Sequence, residues 1–290
     1  MLSASIEKLV DREKIGETHP FLLRARQNDT HKGSFGTVAV IGGSPGMMGA
    51  AALSAMAALK MGCGKVVVGF YGAKTPPTFS DVCPELMFTD AESALKLKEV
   101  TCFVVGCGLG LTNKTMELID YVWQNVKVPV VYDADALTLI SLKERPDLMS
   151  NITERIFTPH PGEAARLLGK DVSAVQSDRR GSASSIAQMF QATTVLKGNR
   201  SIIASVYGKT WENPTGNPGL ATAGTGDVLT GMVASLIAQG CAPIDALRAA
   251  VWLHGAAADV LVDAGVGPIG LVASELIDAA RSIRNYMARP

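Results

Sequence analysis

The sequence predicts an α/β fold, a mainly parallel sheet covered on both faces by helices, and three observations carry that reading. Short apolar, β-branched runs alternate with longer helix-patterned runs along most of the chain. Glycine-rich turns follow several of the apolar runs, and 29 glycines in 290 residues exceed the roughly 7% of average usage. No low-complexity linker and no repeat at solenoid spacing interrupts the alternation, which favours one compact domain.

Residues 1 to 30 read as a helical lead-in, amphipathic and then polar, with Leu9, Ile15, Leu22 and Leu23 as its packing contacts. The motifs that carry function begin after it, in a domain spanning 31 to 290. Residues 37 to 41 form a buried strand that ends in Gly42-Gly43-Ser44 and gives way to a helix over 49 to 62. Further strands are predicted at 65–70, 102–105, 128–132, 156–158 and 194–196, with helices over 113–126, 161–168 and 178–191. Residues 201–206 and 209–212 flank Tyr207-Gly208 and read as an antiparallel hairpin. Three helices then close the chain, at about 225–239, 243–263 and 270–287.

With 47% hydrophobic and 19% charged residues the chain has ample material for a large core. Its formal net charge is zero, so no broad basic face for nucleic acid or anionic lipid is expected. The five cysteines form no Cys-x-x-Cys pair, and their odd number argues for reduced, buried thiols. The start lacks a core of signal-peptide length, and no run of about 18 apolar residues follows. A cytoplasmic protein without a membrane partner is therefore expected.

The most informative segment runs from Gly219 to Leu229, where small residues and one carboxylate directly precede a strongly helical stretch. The first N–H groups of a helix lack intrahelical partners and lie at the positive end of its dipole, so they attract phosphate. Gly224 and Gly226 allow a phosphate close to the backbone, Thr225 adds a hydroxyl, and Asp227 stands where a base would orient or deprotonate an attacking hydroxyl. Asp227 also satisfies the ordinary preference for acids in a first turn.

Other motifs fall at predicted strand ends, where open parallel sheets bind ligands. Gly42 to Ala50 and Gly106-Cys107-Gly108-Leu109-Gly110 are glycine turns, the first without the Gly-x-Gly-x-x-Gly spacing of dinucleotide sites. Asp133 is placed to contact a ligand or a metal-bound water, whereas Asp135 reads equally as a helix cap. In Thr158-Pro159-His160-Pro161-Gly162-Glu163, helix-start preferences explain Pro161 and Glu163 but leave the imidazole unexplained, so His160 is a ligand-contact candidate. Lys197, Gly198, Asn199, Arg200 and Ser201 follow a strand and suit the phosphates or ribose of a nucleotide. His254, beside Trp252 and Leu253, reads more simply as a core or interface residue, and His19 and His31 are too scattered for a metal site, so no protein metal site is expected.

Taken in order, His-Lys-Gly, Gly-Gly-Ser, Gly-Cys-Gly-Leu-Gly, Asp-Ala-Asp-Ala-Leu, Thr-Pro-His-Pro-Gly-Glu, Leu-Lys-Gly-Asn, Asn-Pro-Thr-Gly-Asn and Gly-Thr-Gly-Asp-Val-Leu-Thr-Gly resemble the ADP-dependent NAD(P)H-hydrate dehydratases of the ribokinase-like superfamily. The resemblance covers about residues 31 to 287 and implies a ribokinase-like three-layer sandwich. It implies repair of the S epimer of NAD(P)H hydrate to NAD(P)H, with ADP consumed to AMP and phosphate in the presence of Mg²⁺. Asp227 would be the catalytic carboxylate. Lys197 to Ser201 with Gly224, Thr225 and Gly226 would hold the nucleotide, and Ala50, Gly108, Gly110, His160 and Asp227 would contact the hydrate. Homo-oligomeric assembly, as a tetramer, and work alongside a separate NAD(P)H-hydrate epimerase are further expectations. The family's usual glycine-proline-glycine turn has Cys107 at its centre here. The alternative is a kinase of the same fold acting on a vitamin-precursor alcohol of thiazole or hydroxymethylpyrimidine type; a nucleotide-sensing module without turnover is a third reading.

Overall fold

The computed structural model describes residues 2–72, 83–142 and 153–289. Its sheet is built from Thr37–Gly42 (β1), Lys65–Phe70 (β2), Met87–Asp90 (β3), Cys102–Val105 (β4), Val130–Tyr132 (β5), Arg155–Phe157 (β6), Ala192–Leu196 (β7), Ile202–Ala204 (β8) and Thr210–Glu212 (β9). The spatial order is β3-β2-β1-β4-β5-β6-β7-β8-β9. Strands from β3 across to β7 pair in parallel, and the β8–β9 hairpin adds an antiparallel edge.

Helices cover both faces, as the alternation predicts. Along β1, Val38 and Val40 enter one core while Ala39 and Ile41 enter the other, the period-2 geometry of a strand buried on both sides. The first core packs against Leu2–Leu9 (α1), Met48–Lys60 (α3) and the closing helices. The second packs against Ala91–Leu95 (α4), Asn113–Asn125 (α5), Asp135–Ser141 (α6), Pro161–Leu168 (α7), Val172–Ser177 (α8) and Arg179–Phe190 (α9). The closing helices are Thr225–Ala238 (α10), Pro243–Asp263 (α11) and Ala273–Met287 (α12), the last beginning three residues later than the sequence pattern suggests.

The lead-in differs from the expected single helix. Asp11 accepts a hydrogen bond from Lys14 N (3.1 Å) and starts a second helix, Arg12–Thr18 (α2), after α1. Leu9 is 45% exposed, and Ile6 and Val10 fill the place assigned to it; Leu22 is fully buried as expected. Strand β3 and helix α4 were not anticipated. Met87-Phe88-Thr89-Asp90 is a partly exposed edge strand with no apolar alternation, and Asp90 ends it by capping α4 through Ser93 N (2.8 Å).

Two features of this frame position the site. Strand β1 lies between β2 and β4, so the strand order reverses there and the carboxyl ends of β1 and β4 flank the crevice where open sheets bind ligands. Helix α10 starts on that crevice and is held at close range to α3, because a Cβ on Gly231 would stand 2.0 Å from Ser54 O. Replacing Gly231 by alanine should therefore cost about 1–3 kcal/mol through overpacking. Urea denaturation of Gly231→Ala checks this, and wild-type stability would show that the helix pair has room to part.

Candidate active site

The two glycine turns at the crevice are bonded to each other through their backbones. Gly43 N donates to Cys107 O (3.0 Å) and Ser44 N to Gly108 O (2.7 Å). A Cβ at Gly42 would lie 2.2 Å from Cys107 O, and one at Gly108 would lie 2.6 Å from Met47 O and 3.3 Å from the Ala50 side chain. This approach brings Ala50, Gly108 and Gly110 to one edge. Asp135 does not cap α6. Ala134 holds the cap position, and the Asp135 carboxylate reaches across to accept from Gly110 N (2.7 Å).

Behind the turns, Asp133 is 2% exposed at the end of β5, and its Oδ1 accepts from Lys197 Nζ at 2.9 Å. Thr230 Oγ1 on α10 donates to its other oxygen (2.8 Å). Burial alone would raise the Asp133 carboxyl; the Lys197 charge and these hydrogen bonds hold it below the ordinary carboxylate range. Lys197 is likewise held above its usual value, against its own burial, by Asp133 and Glu163.

Gly224 takes a left-handed conformation (φ 88°) at the start of α10, and Asp227 lies in the first turn. Burial, followed by the negative charge of Asp133, pushes Asp227 up to about 6; a hydrogen bond from Cys107 and the Lys197 charge oppose the rise. Cys107 is fully buried and its thiol is pushed well up, so it stays protonated and donates to Asp227. The cysteine in the glycine turn thus supplies a donor. Cys107 Sγ and carboxylate oxygens of Asp133 and Asp227 all lie within 4.8 Å of one another, a juxtaposition that no sequence spacing announces.

A cavity of about 640 Å³ opens beside the start of α10, within the range of small-ligand sites. All of residues 197 to 201 line it, with Thr225, Gly226 and His254. Gly224 is outside the lining, as are Asp227, Ala50, Gly108, Gly110 and His160; Gly108 and Ala50 pack at the glycine turns, whereas His160 sits at the start of α7 and feels the charge of Lys197. Two supports of the cavity escape sequence reading. Asp259 on α11 accepts from Gly216 N (2.8 Å) and Asn217 Nδ2 (2.9 Å), and Arg179 on α9 donates to the carbonyls of Asn199 and Leu196. Arg200 pairs with Glu212, so its guanidinium is held at the cavity's hairpin wall. His254 Nε2 donates to Thr225 O (2.9 Å), and burial lowers the imidazole to about 4, keeping it neutral.

His160 has the structural task that helix-start preferences did not reveal. Its Nδ1 accepts from Gly162 N (3.0 Å) and Glu163 N (3.3 Å), while Glu163 Oε2 accepts from His160 N (2.7 Å), a reciprocal cap on α7. An imidazole accepting at Nδ1 is neutral, in keeping with a pKa lowered by burial and by Lys197. Half of the ring remains exposed.

The family model for NAD(P)H-hydrate dehydratase matches residues 38–280. The chain belongs to that family. It is 45% identical over 272 residues to the ADP-dependent (S)-NAD(P)H-hydrate dehydratase of Neisseria meningitidis serogroup B, covering 93% of this chain and 92% of that one. The Bacillus subtilis dehydratase crystallised with ATP and Mg²⁺ superimposes with a TM-score of 0.84 at 34% identity, over 96% of this chain and 97% of that one. An Escherichia coli bifunctional NAD(P)H-hydrate repair enzyme is 37% identical over 91% of this chain, which spans 50% of that protein. Hydroxyethylthiazole kinase from Pyrococcus horikoshii shares the fold alone, at 17% identity and a TM-score of 0.58.

For this member of the dehydratase family, the Lys197–Asp133 pair yields a stability test. Lys197→Met leaves Asp133 charged, buried and unpaired and should cost about 3–5 kcal/mol. Adding Asp133→Asn removes the stranded charge and should recover part of the loss. Guanidinium denaturation of both variants measures this, and a double variant no more stable than Lys197→Met would refute the pairing.

Proposed function

We propose that this chain dehydrates (S)-NAD(P)H hydrate to NAD(P)H while ADP is converted to AMP and phosphate. The observation that carries the proposal is Asp227, a carboxylate poised near 6 in the first turn of α10, between a nucleotide-sized cavity and the two glycine turns. Asp227 takes the proton of the hydrate's 6-hydroxyl as that oxygen attacks the terminal phosphorus of ADP, and the bond to the bridging oxygen breaks with AMP as leaving group. The amides at the start of α10 stabilise the charge on the transferring group. Electron release from the ring nitrogen then breaks the C6–O bond and expels phosphate, and loss of a C5 proton to the departing phosphate or water restores the ring double bond, so no covalent enzyme intermediate is needed.

Lys197 to Ser201 with Gly224, Thr225 and Gly226 hold the nucleotide in this reading, and Ala50, Gly108, Gly110, His160 and Asp227 hold the hydrate. Carboxylate oxygens of Asp227 and Asp133 are the hard donors suited to Mg²⁺, whereas the Cys107 sulfur is not. Because Asp133 is engaged by Lys197 and Thr230, the ion would bind chiefly through water and nucleotide phosphates, where it neutralises phosphate charge. The proposal extends to a cytoplasmic homo-oligomer, a tetramer, for which exposed Leu111, Ile269 and Val272 offer apolar surface. The bifunctional relatives support a partnership with a separate epimerase that supplies the S epimer.

The direct test is recovery of absorbance at 340 nm from NAD(P)H hydrate with ADP and Mg²⁺, with one AMP formed per NAD(P)H. No recovery would reject the proposal. Since the base must be ionised, kcat/KM should fall as pH drops through about 6. Asp227→Asn should lose at least about a hundredfold in kcat; near wild-type turnover in that variant would remove Asp227 from the mechanism.

His160 separates its two tasks by substitution. His160→Ala should lose about 1 kcal/mol of stability with the cap and raise KM for the hydrate. His160→Asn retains a capping oxygen and should raise KM at near wild-type stability. Melting curves and steady-state kinetics of the two variants decide, and unchanged KM in both would leave His160 a cap alone.

A further inference from the structure

The lead-in, which the proposed reaction does not use, forms one wall of a second cavity of about 810 Å³. Its other walls include the turn before β1 at Ser34 and Phe35, the carboxyl end of α3 up to Gly62, and α12. It therefore lies at the amino-terminal edge of the sheet. Helix α10 spans the distance, with Asp227 in its first turn and Gln239, a lining residue, just past its end. At about 1.5 Å per residue that is roughly 20 Å from the crevice.

Among the described residues, six basic side chains line this cavity against a single acid, Glu85. In a chain of zero net charge that is a strong local excess. Some of these groups have partners: Lys60 and Arg281 share Asp278 (2.8 and 2.9 Å), Arg26 donates to Gly62 O, and Arg284 Nη2 donates to Gln239 Oε1 (3.0 Å). Among the described residues, Arg24, Arg26, Arg284 and Arg289 form no ion pair, and Arg284 Nη1 is buried without a hydrogen-bond partner. Burial and the neighbouring Arg26 lower Arg284 to about 10, which leaves it charged at neutral pH. Aromatic rings fix the guanidiniums in advance: Arg24 and Arg284 lie 4.6 and 5.6 Å from the Phe21 centroid, and Arg26 lies 3.9 Å from that of Phe35.

A guanidinium with one buried, unused donor, in a cavity whose positive charge exceeds its negative charge, calls for an anion with several oxygens, and the planar fork of arginine fits phosphate. We propose that this cavity binds a phosphate-bearing polyanion at a site separate from the nucleotide cavity beside α10.

Equilibrium dialysis of radiolabelled inorganic pyrophosphate against the full chain tests this, with AMP present at saturation to occupy the nucleotide cavity. One pyrophosphate per chain should bind, at least about tenfold more weakly in Arg26→Gln/Arg284→Gln, with AMP affinity unchanged. Arg24→Gln/Arg289→Gln, both at exposed positions, should weaken it in the same direction and decides the matter if loss of the part-buried Arg284 impairs folding in the first pair. ADP added over saturating AMP distinguishes the source: displacement of pyrophosphate points to a nucleoside diphosphate, and no displacement points to free inorganic phosphates. Absence of AMP-resistant binding, or unchanged binding in folded variants, would overturn the proposal.

Discussion

Lys197 and Asp133 meet at 2.9 Å where β7 and β5 end, and Thr230 ties the same carboxylate to α10. Two charges taken out of water in this way are tolerable only when paired and fully hydrogen-bonded, so every element that touches them is constrained in turn. Gly226 has room for nothing larger without displacing the ammonium, because a Cβ there would stand 3.2 Å from Lys197 Nζ. Gly106 is bound more tightly still: a Cβ would come within 1.9 Å of Asp133 O, and its φ of +124° is one that L side chains rarely adopt. The glycine content that stands out in the sequence thus has one local cause here, the close packing of backbone around a buried ion pair.

The pair also sets the chemistry of its neighbour. Asp133 and Asp227 are close enough that two carboxylates would compete for ionisation, and Lys197 settles the competition by holding Asp133 negative. Asp227, half-shielded from solvent and facing that fixed charge, is left near 6. Two acids separated in affinity by their surroundings are the pattern expected where one supports and the other exchanges a proton. Cys107 moderates the shift. A buried thiol that remains protonated gives Asp227 a donor that a proline at that position would not provide.

The parallel frame was legible because its signals are local. Residues 66–68 and 102–105 are uninterrupted apolar runs that anchor their strands, and the α7 and α11 patterns carry their own proline starts, so predicted and observed bounds agree there. The lead-in failed as a single helix because an Asp11 cap outweighs continuous amphipathicity, and β3 failed because an edge strand does not need alternation. At the candidate site, residues that share one motif are legible in the sequence, and those joined only by the fold are not. Gly224 to Asp227 and Lys197 to Ser201 announce themselves by composition. Asp259, Arg179 and the contact between Cys107 and Asp227 lie 17 to over a hundred positions from what they touch, and no spacing rule links them. His160 shows the limit from the other side, since an imidazole can cap a helix with Nδ1 and still leave half its ring open to a ligand.

Helix α10 is where, in the proposed reaction, stability and catalysis would use the same atoms. Most of its length is buried, against α3 through Gly231 on one side and against α11 on the other, and its first carbonyl is held by His254. A helix so confined cannot shift its amino terminus to suit a ligand, so the amides that would receive a transferring phosphoryl group are in place beforehand. Preorganised dipoles of this kind stabilise developing charge without the reorganisation that water would require. The same frame serves a thiazole kinase of low sequence identity, so it does not by itself select a reaction. Selection falls to what surrounds the helix start: the turns joined at Gly43 and Cys107, the capped His160 loop, and an acid raised to about 6 by burial and by the charge of Asp133.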